Sequence, residues 1–176
     1  MENIPEKGAV ILAANHKSYL DPVLVGLASK RPVYFMAKSE LFKIKMLDYF
    51  LKKLYAFPVK RGEFDRDAFR KSIEVLKSGK VMGIYPEGGR VRDKKIGEIK
   101  PGFSLIALKS KAAVVPVGII GSDKAMKVGG KIPKFPKIII NIGKPFKSED
   151  ISVEDKRSKL NFIVKKFEEE INRLTG

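Results

Sequence analysis

Residues 9–14 read AVILAA and run directly into Asn15-His16-Lys17-Ser18-Tyr19-Leu20-Asp21. Six apolar residues without alternation, closed by polar turn residues, predict a strand buried on both faces. Asp21-Pro22 then opens VLVGLASK, which predicts a helix with Asp21 as N-cap and Pro22 at the first helical position. Strand followed by helix is the first half of a βαβ unit.

The alternation continues outward from that stretch. Apolar runs at 33–37 (VYFMA), 55–59, 81–85, 114–120 and 137–142 predict further strands. Between them, Ser39 is placed to cap a helix running to about Leu54, and 65–78 carries Phe69, Ile73 and Leu76 on one face with Gly79 as its stop. Pro101 opens a helix through Leu108. A last helix is expected from about Ser152, with Asp155 in the capping-box position and a stripe of Leu160, Ile163, Val164, Phe167, Ile171 and Leu174. Pro58 marks its strand as irregular, and Pro116 hints at an edge or a bulge. Residues 124–136 read as a loop. Continuous rather than alternating apolar strands predict helices on both sheet faces. The expected fold is therefore α/β, a single domain over residues 1–176 with a central, mostly parallel sheet flanked by helices.

Composition narrows the function. The 176 residues suit one domain, and 44% hydrophobic with 32% charged residues is a foldable balance. There is no cysteine and one histidine, so disulfides, thiolate chemistry and the Cys/His zinc modules are excluded, and no metal site is expected. The net charge of +16, from 36 Lys and Arg against 20 Asp and Glu, attracts anions: nucleic acid, anionic headgroups or an acidic protein. Lysine dominance without cysteine or glutamine also suits a thermophile's surface. No signal-peptide pattern and no run of 18 apolar residues occurs, so no transmembrane helix is expected.

The chemistry gathers where strands end. His16 follows the first strand, and open α/β sheets bind ligands at the carboxyl ends of their strands. An unperturbed histidine titrates at roughly 6.5, which suits a general base for a hydroxyl. Asp21 lies five residues on, about 140° away on a continuous helix, so the two meet only if the chain turns tightly between them. The alternative is a turn histidine beside a simple N-cap. A second cluster, Tyr85-Pro86-Glu87-Gly88-Gly89-Arg90-Val91-Arg92, pairs backbone freedom at its glycines with the planar fork of Arg90. A third, Phe57-Pro58-Val59-Lys60-Arg61-Gly62, offers two cations for a phosphate. Read singly, these are an ordinary glycine turn and a surface charge pair.

In order, NHKSYLD, FPVKRG, YPEGGR and VVPVGI resemble the NHxxxxD, arginine-bearing, FPEGTR and VP motifs of the 1-acylglycerol-3-phosphate acyltransferases, within the wider glycerolipid acyltransferase family. The resemblance runs from about Ile4 to Lys144. It implies that His16 deprotonates the acceptor hydroxyl while Asp21 orients it. It implies that Lys60 and Arg61 bind the acceptor phosphate, that Glu87, Gly88 and Arg90 form the acceptor site, and that Pro116 lies near the acyl-binding region. No cofactor is implied. The co-substrate would be a thioester on coenzyme A or acyl carrier protein, the acceptor a lysophospholipid and the product phosphatidic acid. Glycerol-3-phosphate or another lysolipid is the alternative acceptor. The family threonine is Gly89 here, and members usually carry a helical or hydrophobic segment before the first strand, which here has only eight residues ahead of it.

Membrane contact is then expected from residues 41–54, LFKIKMLDYFLKKL, whose Lys43, Lys45, Lys52 and Lys53 interleave apolar side chains as in an interfacial helix on anionic lipid. The alternative is a core helix with outward-snorkelling lysines. The expected setting is the cytoplasmic face of the membrane, held peripherally. A nucleic-acid binder is the reading from a different class. It lacks aromatics interleaved with basic residues, so no nucleic-acid partner is expected. Intact His16 and Asp21 argue against a catalytically dead lipid-binding module.

Overall fold

In a computed structural model of the chain, residues 3–60, 62, 64–91, 97–125, 136–150, 152 and 155–176 are described. Six strands, β1 (Val10–Ala14), β2 (Val33–Lys38), β3 (Ala56–Val59), β4 (Val81–Ile84), β5 (Ala113–Ile120) and β6 (Ile139–Ile142), form one sheet in the order β3-β2-β4-β1-β5-β6. All neighbours are parallel except β5 and β6. The strands are linked by α1 (Asp21–Leu27), α2 (Lys45–Lys53), α3 (Arg66–Lys77), α4 (Pro101–Ser110) and α5 (Ser122–Ala125), and α6 (Lys156–Thr175) closes the fold. The mostly parallel α/β sheet is the one expected.

Side-chain alternation splits each strand between two faces. Ile11, Ala13, Met82, Ile84 and Val114 turn toward α3, α4 and α6, where they meet Leu76, Phe103, Ile106, Ile163, Phe167 and Ile171. Val10, Leu12, Val33, Phe35, Val81, Val115 and Val117 turn the other way, toward Val25 of α1. The strand side chains of that second face are buried as well, while Leu27 and Val23 on the outer side of α1 are exposed. Cover on both faces was expected, and the buried clusters on the two sides of the sheet agree with it.

The layering also fixes where a site can form. The chain leaves β1 over one face, through α1, to reach β2. It leaves β4 over the other face, through α4, to reach β5. Because β1 and β4 are neighbours, their carboxyl ends part at a topological switch point, and a crevice opens there.

Several local expectations change. Asp21 is the first residue of α1 rather than its N-cap. Leu20 takes the cap position without a side-chain bond, and the Asp21 carboxylate turns back toward the preceding loop. Residues 39–54 are not one capped helix: a 3-10 turn (Ser39–Lys43) breaks at extended Ile44 before α2, and Ser39 makes no cap. In α6 the start moves from Ser152 to Lys156. Asp155 is itself the N-cap, accepting from the Ser158 amide at 2.9 Å.

The two prolines behave differently. Pro58 sits in β3, an edge strand, where its missing N–H costs little. Pro116 lies in β5, with β1 on one side and β6 on the other, so it is not at an edge. It faces a bulge instead. Two residues of β5 separate Val114 from Val117, whereas three residues separate their partners Phe146 and Ile142. The Gly143 amide donates to the Pro116 carbonyl at 2.8 Å across the irregularity. Most of the expected 124–136 loop, residues 126–135, lies outside the described residues.

Candidate active site

The loop after β1 is anchored before it reaches His16. Asn15 is buried, and its side-chain amide pairs both ways with Ile119 of β5: Nδ2 donates to the carbonyl at 2.9 Å and Oδ1 accepts from the amide at 2.7 Å. One side chain thus prolongs the β1–β5 ladder where the backbone leaves it. Sequence reasoning assigned Asn15 no role, since a single asparagine after a strand reads as turn chemistry.

His16 and Asp21 do meet. His16 Nδ1 is 2.8 Å from Asp21 Oδ2, with the carboxylate fully buried and His16 7% exposed. The same oxygen accepts from the amides of Lys17 and Ser18, both at 2.7 Å. The chain between the two residues wraps around the carboxylate, which removes the 140° objection of a straight helix. With Nδ1 committed to Asp21, Nε2 is the nitrogen left for a substrate, and His16 lines an adjoining groove.

The turn after β4 packs directly on this loop. The His16 ring stacks on Tyr85, with centroids 4.0 Å apart. Tyr85 is held neutral: burial pushes its hydroxyl well above the usual tyrosine range, and the nearby Asp21 charge adds to the shift. Glu87 is buried, and both of its carboxylate oxygens are used. Oε2 accepts from the His16 amide at 2.8 Å and Oε1 from the Gly97 amide at 3.2 Å. Burial raises the Glu87 carboxyl above its ordinary value, against the opposing pull of those two amides. The His16 carbonyl in turn accepts from the Val91 amide at 2.9 Å. Gly88 has φ of +70°, a conformation that favours glycine, and an added Cβ would approach Lys100 at 3.3 Å.

A groove of about 590 Å³ runs from these residues between α3 and α4. Its lining is partly polar, with His16, Lys60, Glu87 and Lys100, and largely apolar, with Met36, Ala68, Phe69, Ile84, Phe103 and Ile106. A groove lined by both polar and apolar side chains suits an amphiphilic ligand. Asp65 shapes the rim, because its carboxylate caps α3 through the Asp67 and Ala68 amides and also accepts from the Lys60 amide at 2.8 Å. Those amides, Ala68 foremost, hold the Asp65 carboxyl below the usual range.

The structure brings His16, Asp21, Glu87, Gly88 and Lys60 together at this groove. Arg90 is not among its lining residues. Its guanidinium lies 3.6 Å from the ring centroid of Tyr19, and its buried Nη1 has no hydrogen-bond partner among the described residues. Pro116 is buried in the sheet, away from the lining. Arg61 and Arg92 lie outside the described residues. Among the described residues no cluster of His, Asp and Glu that could hold a metal is found. Tyr19, Tyr85 and Lys100 were not singled out from sequence. The aromatic character of Tyr19 and Tyr85 within the two motifs was the available signal.

A buried histidine–carboxylate pair at a switch point, beside a groove with apolar lining, is geometry compatible with a group-transfer enzyme. The chain belongs to the Acyltransferase family, whose model matches residues 1–120. More particularly, it is 29% identical over 174 residues to the 1-acyl-sn-glycerol-3-phosphate acyltransferase of Bacillus subtilis, covering 98% of this chain and 84% of that one. It is 28% identical over 166 residues to a chloroplastic 1-acyl-sn-glycerol-3-phosphate acyltransferase of Arabidopsis thaliana, covering 91% of this chain but 46% of the plant protein. The crystal structure of the 1-acyl-sn-glycerophosphate (LPA) acyltransferase from Thermotoga maritima superposes with a TM-score of 0.77 at 26% identity, covering 98% of this chain and 69% of that one.

Proposed function

We propose that this acyltransferase moves a fatty acyl group from an acyl thioester, on coenzyme A or acyl carrier protein, to the free hydroxyl of 1-acylglycerol-3-phosphate, giving phosphatidic acid. The observation that carries this reading is the buried His16–Asp21 pair, with His16 lining a largely apolar groove. The names of the Bacillus, Arabidopsis and Thermotoga relatives support the acceptor.

In the proposed reaction His16 Nε2 takes the proton of the acceptor hydroxyl as its oxygen attacks the thioester carbonyl. The C–S bond then breaks, and the proton passes to the leaving thiolate. Asp21 fixes the tautomer through Nδ1 and stabilises the imidazolium between the two transfers. Because a thioester is already activated, the hydroxyl attacks directly and no enzyme nucleophile enters. Such a base contributes roughly 10²- to 10⁴-fold, and positioning supplies much of the rest. Lys60 and Arg61 act on the acceptor phosphate in this reading, with Gly88 giving close backbone approach. Arg90, braced on Tyr19 with one buried nitrogen unpartnered among the described residues, would be a further phosphate ligand beside the groove. Pro116, buried in β5 and not lining the groove, would bear on the acyl region only indirectly.

The enzyme would work peripherally on an anionic leaflet, of which the cytoplasmic one is the standard example. Neither the 3-10 turn nor α2 has a buried residue, so α2 is not a core helix. Leu41, Ile44, Met46, Tyr49, Phe50, Leu54 and Tyr55 are exposed there, Met46 at 68%, among Lys43, Lys45, Lys52 and Lys53. No helix among the described residues is long and apolar enough to cross a membrane. The lysine-rich composition without cysteine or glutamine supports work at high temperature.

The test is acyl transfer on liposomes, wild type beside His16→Ala. The expected result is a turnover loss of about 10²-fold or more in a folded variant. Equal rates would remove His16 from the mechanism, and with it this reading, since the chain has no second histidine. Turnover on glycerol-3-phosphate but not on the lysolipid would transfer the assignment to the alternative acceptor.

A further inference from the structure

The motif resemblance puts Glu87 among the groups that bind the acceptor, but its contacts point elsewhere. Both carboxylate oxygens are occupied, one by the His16 amide at 2.8 Å and one by the Gly97 amide at 3.2 Å. A buried carboxylate is also a poor neighbour for a phosphate: like charges repel most where water does not screen them. Its neighbours complete the arrangement. The Val91 amide holds the His16 carbonyl and the Lys100 amide holds the Pro86 carbonyl, both from segments that Glu87 also joins.

From these contacts we infer that Glu87 is a positioning residue for His16 rather than a ligand for the acceptor. It ties the loop after β1, the turn after β4 and the 97–100 segment at one point. His16 is then constrained in three ways. Asp21 holds Nδ1, the Tyr85 ring sets the imidazole plane, and Glu87 with Val91 holds the peptide on both sides of the residue. Of these, Glu87 is the constraint that sets where Nε2 stands relative to the groove, because it fixes the backbone from which the ring projects. A displacement of about 1 Å from the reacting geometry costs on the order of 10²-fold in rate.

This inference rests on the reading of His16 as the base, and the experiment separates the two. Because His16 is the only histidine, ¹⁵N-histidine labelling gives one backbone amide and one ring in the NMR spectrum of the full chain. That spectrum is recorded for wild type, Glu87→Ala and Glu87→Gln, beside kcat and KM for 1-acylglycerol-3-phosphate on liposomes. In Glu87→Ala the His16 amide is expected to lose the downfield shift of a carboxylate-bound N–H, and kcat to fall about 10²-fold with KM within about twofold. Glu87→Gln keeps one oxygen for the His16 amide, so it should recover part of both effects.

A KM raised tenfold or more with kcat retained would overturn the inference in favour of acceptor binding. So would an unmoved His16 amide in Glu87→Ala. If Glu87→Ala does not fold, Glu87→Gln is judged by the same two readouts. If wild type itself has no turnover on this acceptor, the proposed function fails, while the amide shift still decides whether Glu87 holds His16.

Discussion

Asp21 serves three donors with one oxygen, so its replacement is informative at the scale of a single atom. Asp21→Asn keeps the size and an oxygen for the Lys17 and Ser18 amides, but removes the charge that faces the His16 ring. The expected result is a kcat lower by about 10²-fold or more with little change in KM, read from steady-state rates on liposomes. An unchanged kcat would mean that Asp21 only folds the loop. Glu87 carries a second prediction, about pH. Its carboxyl is raised above 4.5 chiefly by burial, so the folded state holds a proton that the unfolded chain releases first. The stability this gives is fully present below about pH 4.5 and is lost as pH rises through the raised folded value. Urea unfolding of wild type and Glu87→Gln should therefore diverge across that window, with wild type losing ground as pH rises. A constant difference would contradict it. At this scale the sequence was half legible. His16 could be named from its place at a strand end and Asp21 from the motif resemblance, but Asp21's turn back onto the loop, and the spending of both Glu87 oxygens on backbone, are tertiary facts with no periodic signature.

Elements were more legible than atoms wherever burial set the pattern. The five parallel strands and α6 follow from apolar runs and a helical stripe, and Phe167 shows why that stripe was readable. It is fully buried, tilted edge-on to Phe103 with centroids 5.3 Å apart. Phe167→Ala should cost about 3–5 kcal/mol in urea unfolding, the range for a large aromatic removed from a packed core. A cost under about 1 kcal/mol would mean that α6 is not part of the core. The readings that moved were those where propensity had to stand in for contacts. Ser39 has the right chemistry for a cap, yet the chain forms a 3-10 turn there and restarts at Lys45. Pro116 signalled an irregularity but not whose: the extra residue lies in the segment after β6, opposite it. The composition of 41–54 suited either an interfacial helix or a core helix, and only the fold shows that, among the described residues, its large apolar side chains are exposed.

For the molecule as a whole, the question is whether its charge acts as a general field or through one patch. A net charge of +16 alone draws the protein to any anionic surface, with a pull that fades as the Debye length shrinks from about 10 Å at 0.1 M salt to about 3 Å at 1 M. In the proposed membrane role a patch around α2 would add something the field lacks, its exposed apolar side chains entering the headgroup layer while the lysines meet phosphates. Two charge-matched variants separate these contributions. Lys43, Lys45, Lys52 and Lys53 changed to Glu remove two charges each and bring the formal charge from +16 to +8. Lys109, Lys156, Arg157 and Lys165, exposed on α4 and α6, changed to Glu give the same +8 elsewhere. Co-sedimentation with phosphatidylglycerol-rich vesicles should drop sharply for the first variant, with the second staying close to wild type at 0.1 M salt. In wild type, binding should weaken with salt yet persist in part at 1 M, since apolar insertion is not screened. Equal losses in the two variants, or complete release of wild type at 1 M, would assign the membrane contact to the overall field and leave the exposed side of α2 without that role.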